Sequence, residues 1–91
     1  MSETAEKPKD IMFAQALNMA MNKAMADDPK VILLGEDIAD KEGGGVFKVT
    51  AGLSGTYGTD RVRSTPISEQ AIVGAAVGAA LVGYKPVAEI M

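Results

Sequence analysis

The order of apolar patterns along these 91 residues predicts an α/β fold, a parallel sheet with helices on both faces. Apolar residues first recur at helical spacing over residues 11–27, and a short unbroken apolar run follows at residues 31–34. The same order of helix and then strand occurs twice more before residue 91. Because neighbouring parallel strands need a crossover between them, this alternation is typical of a parallel sheet.

The first predicted helix covers residues 11–27. Asp10 is a candidate N-cap, and Pro29 ends the helix because it disfavours helical dihedrals at Asp28. The polar residues 1–10 are predicted to form a flexible tail, so that residues 11–91 make up the folded part. The apolar residues of the helix recur every three or four positions, as in an amphipathic helix. They are Met12, Phe13, Ala16, Leu17, Ala20, Met21 and Ala24.

Residues 31–34 are predicted to form a strand that is buried on both faces of the sheet. Gly35, Glu36 and Asp37 follow at its carboxyl end. Because ligands bind beyond the carboxyl ends of the strands in open α/β sheets, Glu36 is a candidate site residue. A solvated loop acid with no role in binding is the plain alternative.

A loop with three consecutive glycines is predicted for residues 38–45. It contains neither of the glycine motifs that cradle phosphates in dinucleotide-binding and P-loop proteins. Residues 46–53 are predicted to form the second helix, which ends at the glycines of residues 55–58, and residues 61–64 the second strand.

Residues 65–91 form the segment around which the other elements are arranged. With Ser68 as N-cap, residues 69–83 are almost all Ala, Val, Ile, Leu and Gly, which predicts a helix buried on nearly all sides. Residues 87–91 are predicted to form a third strand. Glu69 is the only charged residue of the helix. The helix dipole favours a carboxylate in the first turn by about 0.3–1 kcal/mol, so a structural role for Glu69 is the alternative to a functional one.

The composition excludes several classes of site. The sequence has no Cys and no His, so disulfides, thiolate metal sites and imidazole catalysis are unavailable to it. With a net charge of −3 and few aromatic residues, it is not predicted to bind nucleic acid. Residues 71–82 are too short to cross a membrane, which takes roughly 20 apolar residues. The polar beginning has neither a secretory nor a transit signal, and we expect a cytoplasmic protein.

Three stretches of the sequence resemble the beta subunit of the thiamine-diphosphate-dependent first component of 2-oxo acid dehydrogenase complexes. They are LLGEDIAD at residues 33–40, GGVFKVTAGLSGTYGTDRV at residues 44–62, and TPISEQAIVGAAVGAALVGYKPVAEIM at residues 65–91. Acetoin dehydrogenase belongs to the same group. The resemblance implies an incomplete pyrimidine-binding domain with an α/β parallel sheet, which agrees with the pattern above.

The resemblance also implies roles for single residues. Glu69 matches a glutamate that hydrogen-bonds a ring nitrogen of the aminopyrimidine of thiamine diphosphate and so promotes loss of the proton from the thiazolium carbon. A carboxyl group facing an apolar pocket suits this role, because it can share a proton with the ring. Ile67 matches a position whose backbone lies beside the pyrimidine, and Met91 one whose side chain packs against it. Glu36 matches an acid in a water-filled path between paired cofactors.

The partners implied are those of a heterotetrameric enzyme: an alpha-type subunit, a second beta subunit and a lipoyl-bearing acyltransferase. In the family, Mg²⁺ and the diphosphate are held by a GDG-type motif on the alpha-type partner, whereas this sequence has GED at residues 35–37. Because relatives are several times longer, we expect a truncated chain or a proteolytic product that is inactive alone. Two alternatives stay open: another transketolase-like thiamine enzyme, and an interaction module without catalytic activity.

Overall fold

The computed structural model describes residues 13–45 and 48–91. The predicted tail, the candidate N-cap at Asp10 and the start of the first helix lie outside these residues. The described elements, in chain order, are α1 (Phe13–Asp27), β1 (Val31–Glu36), a single 3₁₀ turn (Asp40–Glu42), α2 (Leu53–Tyr57), β2 (Val62–Thr65), α3 (Glu69–Leu81) and β3 (Lys85–Glu89).

The sheet has β1 in its centre, between β2 and β3, and both pairings are parallel. Leu33 lies opposite Val62 on one side and Val87 on the other. The predicted parallel sheet is therefore confirmed. Because all of these strands run in the same direction, their carboxyl ends, at Glu36, Thr65 and Glu89, lie along one edge.

Alternate residues of β1 face different helices, as the two-residue period of a strand requires. Leu33 packs in a buried cluster with Met25 of α1 and Leu53 of α2. On the opposite face, Leu34 lines a cavity together with Ile72 of α3. Helices thus cover both faces, as predicted.

Arg61 ties the start of β2 to the junction between α1 and β1. Its guanidinium group donates to the carbonyl oxygens of Met25, Asp28 and Val31 at 2.9, 2.9 and 3.0 Å. It also lies 5.1 Å from the ring centroid of Tyr57. Arg61 therefore supplies hydrogen-bond donors to the carbonyl groups at the C-terminal end of α1, as backbone acceptors away from water require.

The predicted second helix is wrong in its position. The sequence analysis placed it at residues 46–53 and ended it at the glycines that follow, whereas α2 is Leu53–Tyr57 and contains Gly55. The reason is the left-handed backbone before it: φ is +63° at Lys48 and +83° at Gly52, which a continuous helix cannot contain. Residues 46 and 47 lie outside the described part.

The strands begin or end slightly away from the predicted limits. β1 continues through Glu36, since its pairing with Thr65 extends that far. β3 begins at Lys85, two residues before its predicted start, because the Lys85 N–H donates to the carbonyl of Lys30 at 2.8 Å. Pro86 is tolerated there because β3 is an edge strand of the described sheet.

The prediction that α3 is buried on nearly all sides is wrong for the described chain. Ile72 is its buried residue, whereas Val77 and Leu81 are 56% and 82% exposed. A sheet of this width covers only one side of the helix. Apart from its chain neighbours and the backbone of α3 itself, no atom of the described chain would lie within 4 Å of a Cβ placed on Gly74. Ser68 is the N-cap residue as predicted, although its hydroxyl makes no capping hydrogen bond.

In the described part of the chain, no helix combines the length and apolar character needed to span a lipid bilayer.

Asp40 joins the 3₁₀ turn to α2 through backbone amides. Its carboxylate accepts hydrogen bonds from the N–H groups of Gly52 at 2.6 Å and Gly55 at 2.9 Å. Its own N–H donates to the Ser54 hydroxyl at 2.8 Å. The two amide bonds hold the pKa of Asp40 below its ordinary value. Asp40 therefore satisfies first-turn amides that a helix cannot satisfy itself.

We predict that Asp40→Ala lowers the free energy of unfolding by about 1 kcal/mol at pH 7, as loss of an exposed helix cap does. A lowered pKa makes this contribution fully present above the ordinary value of 3.8, and it is lost as the pH falls through the folded-state value. Urea unfolding at pH 7 and at successively lower pH measures the difference. Asp60→Ala is the control, because its side chain makes no hydrogen bond to the described residues. Equal losses in the two variants would contradict the role given to Asp40.

Candidate functional site

Three glutamates lie at the carboxyl edge of the sheet, on its two different faces. Glu36 ends β1, Glu89 ends β3, and Glu69 begins α3. Glu36 is level with Thr65, which lines the cavity under α3, so it faces α3 together with Glu69. Glu89 is level with Gly35 and lines a groove beside α1. Parallel pairing thus brings three carboxyl groups near one another without placing them on a single surface.

Glu36 is the most buried of these acids, with 9% of its surface exposed. Its Oε2 atom has no hydrogen-bond partner within residues 13–45 and 48–91. Burial raises the pKa of Glu36, a hydrogen bond with the Glu69 carboxyl raises it further, and the charges of Glu69, Asp37 and Glu89 act in the same direction. Glu36 therefore keeps its proton to a higher pH than an ordinary glutamate.

Glu69 lies at the start of α3 and is exposed. The sequence analysis expected its carboxyl group to face an apolar pocket, and within the described chain this is wrong. The reason is the same as for α3 as a whole, since the described sheet covers only one side of the helix. Of these two residues, Glu36 is buried and Glu69 is exposed.

Ile67 and Met91 add apolar surface to the same edge. Ile67 lies between β2 and α3 and is 78% exposed, and Met91 follows β3 and is 51% exposed. An aminopyrimidine is a flat ring with nitrogen atoms on its rim, so it needs apolar surface for its faces and a carboxyl group for its edge. Ile67 and Met91 are side chains of the first kind, and Glu69 is of the second.

The cavity under α3 lies beside this combination. Its volume is 470 Å³, and its lining is largely apolar. The lining residues are Leu34, Thr65, Pro66, Ser68, Ala71, Ile72 and Ala75. The start of α3 therefore borders a concave apolar surface, which is the usual setting of a small-molecule site.

Sequence reasoning missed Glu89 and Thr50. Glu89 was placed inside a predicted strand with no role, and Thr50 inside a predicted helix. The signal for Glu89 was available, because the last residues of parallel strands share one edge and Glu36 had already been singled out there. Thr50 could not have been found, since its burial depends on the left-handed turns of the preceding loop. In the described residues, no group of three acidic side chains is arranged to hold a metal ion.

Comparison with known proteins assigns the chain to a family. The model of the transketolase pyrimidine-binding domain matches residues 9–91. The chain is 43% identical over 90 residues to the pyruvate dehydrogenase E1 component subunit beta of Leifsonia xyli, covering 99% of this chain and 26% of that protein.

Two further relatives are named after a branched 2-oxo acid. The 3-methyl-2-oxobutanoate dehydrogenase subunit beta of Mycobacterium tuberculosis is 50% identical over 82 residues, which is 90% of this chain and 23% of that protein. The 2-oxoisovalerate dehydrogenase subunit beta of Bacillus subtilis is 47% identical over 78 residues, which is 86% of this chain and 23% of that protein. The chain thus spans about a quarter of the length of these curated relatives. The match over residues 9–91 and the parallel sheet agree, and the chain belongs to the transketolase pyrimidine-binding domain family.

Proposed function

We propose that this chain is the aminopyrimidine-binding part of the beta subunit of a thiamine-diphosphate-dependent 2-oxo acid dehydrogenase. The observation that supports this most is the match of residues 9–91 to the pyrimidine-binding domain, with exposed Glu69 and buried Glu36 at the carboxyl edge of its sheet. The names of the relatives favour a dehydrogenase over other transketolase-like enzymes. They also favour an enzyme subunit over an interaction module.

In this proposal the residues of the edge have separate tasks. When bound, thiamine diphosphate would supply a carbon nucleophile, formed by loss of the thiazolium proton, and an electron-accepting ring for decarboxylation of a 2-oxo acid. Glu69 hydrogen-bonds a ring nitrogen of the aminopyrimidine and exchanges a proton with it. Glu36 donates a hydrogen bond to Glu69. Ile67 contributes backbone beside the ring, and Met91 contributes an apolar side chain against its face.

The remaining parts of the site belong to partners in this proposal. Mg²⁺ and the diphosphate are held by an alpha-type subunit, because this chain has GED at residues 35–37 in place of a GDG-type motif. A second beta subunit completes a heterotetramer. A lipoyl-bearing acyltransferase then receives the acyl group. The names of the relatives, which describe subunits and components, are consistent with such an assembly.

We predict that Glu69→Gln in the assembled enzyme lowers kcat by at least about 100-fold, the usual contribution of a positioned proton-transfer group. Glutamine keeps the size of the side chain but cannot exchange a proton with the ring. Titration calorimetry should show that thiamine diphosphate with Mg²⁺ still binds within about threefold, because most of its binding energy comes from the charged diphosphate. Gln70→Ala, at the next position of the same helix, is the control and should leave turnover unchanged. A Glu69→Gln enzyme with near-normal turnover would refute the assignment.

The proton on Glu36 has its own test in the pH dependence of stability. A carboxyl group whose pKa is raised on folding contributes stability that is complete below its ordinary value of 4.5 and is lost as the pH rises through the folded-state value. Glu36→Gln removes this loss. We therefore predict that the variant gains stability relative to the unaltered protein as the pH rises from 4 to 8, measured by urea unfolding.

Glu42→Gln is the matched control for this measurement. Glu42 is exposed, and a glutamine there can still accept the 2.9 Å hydrogen bond from the Ser64 hydroxyl. The free energy of unfolding of Glu42→Gln should follow that of the unaltered protein from pH 4 to 8. A Glu36→Gln curve parallel to the unaltered one would mean that Glu36 is ionised in the folded protein as in the unfolded chain.

A further inference from the structure

Glu89 is the one acid of the carboxyl edge to which the proposed chemistry gives no task. It ends β3 on the face of the sheet opposite Glu36 and Glu69. Its Oε1 atom is buried and has no hydrogen-bond partner among the described residues. No ion pair joins it to a lysine or arginine of residues 13–45 and 48–91. Its carboxyl group is therefore held by packing and not by a cation.

The carboxyl group of Glu89 lies under the loop that follows β1, here called the glycine loop and defined as residues 37–45 and 48–50. A Cβ placed on Gly45 would lie 3.5 Å from each carboxyl oxygen of Glu89 and 3.5 Å from the Thr50 hydroxyl oxygen. Thr50 is itself buried and donates its hydroxyl hydrogen to the Ile38 carbonyl at 2.8 Å. The Glu89 carboxyl group therefore occupies the space beside Gly45 into which a side chain at that position would project, and the Thr50 hydroxyl borders the same space.

A backbone hydrogen bond connects Gly45 to the residue that follows Glu36. The Gly45 N–H donates to the Asp37 carbonyl at 2.8 Å, and Asp37 is the residue after Glu36. Asp37 has φ of +56°, a left-handed conformation that a residue other than glycine adopts only where its surroundings hold it. What fixes Gly45 therefore also fixes the backbone turn from which Glu36 emerges.

Gly35 makes the approach of Glu89 possible. A Cβ at Gly35 would lie 3.0 Å from the Glu89 Cβ and 2.9 Å from the Ile38 Cγ2, so no larger residue fits there without displacement of its neighbours. Glycine at this position lets the side chain of Glu89 lie against the sheet edge and reach the loop.

We propose that Glu89 is a positioning residue, whose carboxyl group fills the space beside Gly45 and Thr50 and thereby holds the turn at Asp37 and the neighbouring Glu36 in place. Its connection to catalysis rests on the function proposed above, but the contact with the glycine loop does not. Since no cation faces the carboxyl group within the described residues, the reach and shape of the side chain matter and its charge does not.

Two substitutions separate reach from charge. Glu89→Asp keeps the charge but withdraws the carboxyl group by one methylene, whereas Glu89→Gln keeps the reach without the charge. In the full assembly, amide hydrogen exchange at Gly45 and Thr50 should become at least about tenfold faster in Glu89→Asp and stay within about threefold of the unaltered rate in Glu89→Gln. Val87→Ala, two residues earlier on the same face of β3, is the packing control and should leave both amides unchanged.

Turnover then shows whether the loop positions the site. Glu89→Asp should lower kcat and leave the KM for the 2-oxo acid unchanged. The separate variant Glu89→Gln should keep the kcat of the unaltered enzyme. The proposal is overturned if Glu89→Gln loosens the loop while Glu89→Asp does not, because charge would then be the requirement, or if neither variant changes the two amides. Amide exchange needs neither cofactor nor turnover, so its result is independent of the test on Glu69.

Discussion

The parallel pairing of β1 with both of its neighbours is the constraint on which the other features depend. It turns three residues that are far apart in the sequence, Glu36, Glu69 and Glu89, into neighbours along one edge. An antiparallel partner would have sent one of these acids to the opposite end of the sheet. Burial along this edge raises the pKa of Glu36 and of Glu89 above the ordinary value of a glutamate.

The alternation of side chains along a strand divides this edge into two parts. On the α3 face, Glu36 is buried and its pKa is raised, while Glu69 is exposed and open to a group outside the chain. On the α1 face, Glu89 supports the glycine loop from beneath. The two parts meet at Asp37, whose left-handed backbone links the loop to Glu36.

Much of this fold could be predicted from the sequence, because hydrophobic periodicity and unbroken apolar runs reflect burial directly. The helical spacing of apolar residues predicted α1, the unbroken apolar run predicted β1, and Ser68 predicted the start of α3. The position of α2 could not be predicted, since it depends on positive φ at Lys48 and Gly52, and lysine gives no sign of such a backbone. The exposure of α3 was missed because composition tells how apolar a helix is but not what covers it.

The candidate site divides in the same way. Glu36 was singled out by its place after a strand and Glu69 by the family resemblance. The burial of Glu36 could not be predicted, because burial depends on which residues face the covered side of the sheet. The position of Glu89 at this edge could have been predicted from the rule that parallel strands end together. Its proximity to Gly45 could not, because it depends on how the loop folds.

The most direct test of the account is the rate at which the acidic thiazolium proton of bound thiamine diphosphate exchanges with deuterium, followed by NMR after acid quenching of the assembled enzyme. It isolates the step that the Glu69 carboxyl group is proposed to promote from substrate binding and acyl transfer. The account predicts that exchange is at least about 100-fold slower in Glu69→Gln than in the unaltered enzyme or in Gln70→Ala. Equal exchange rates in all three proteins would contradict it.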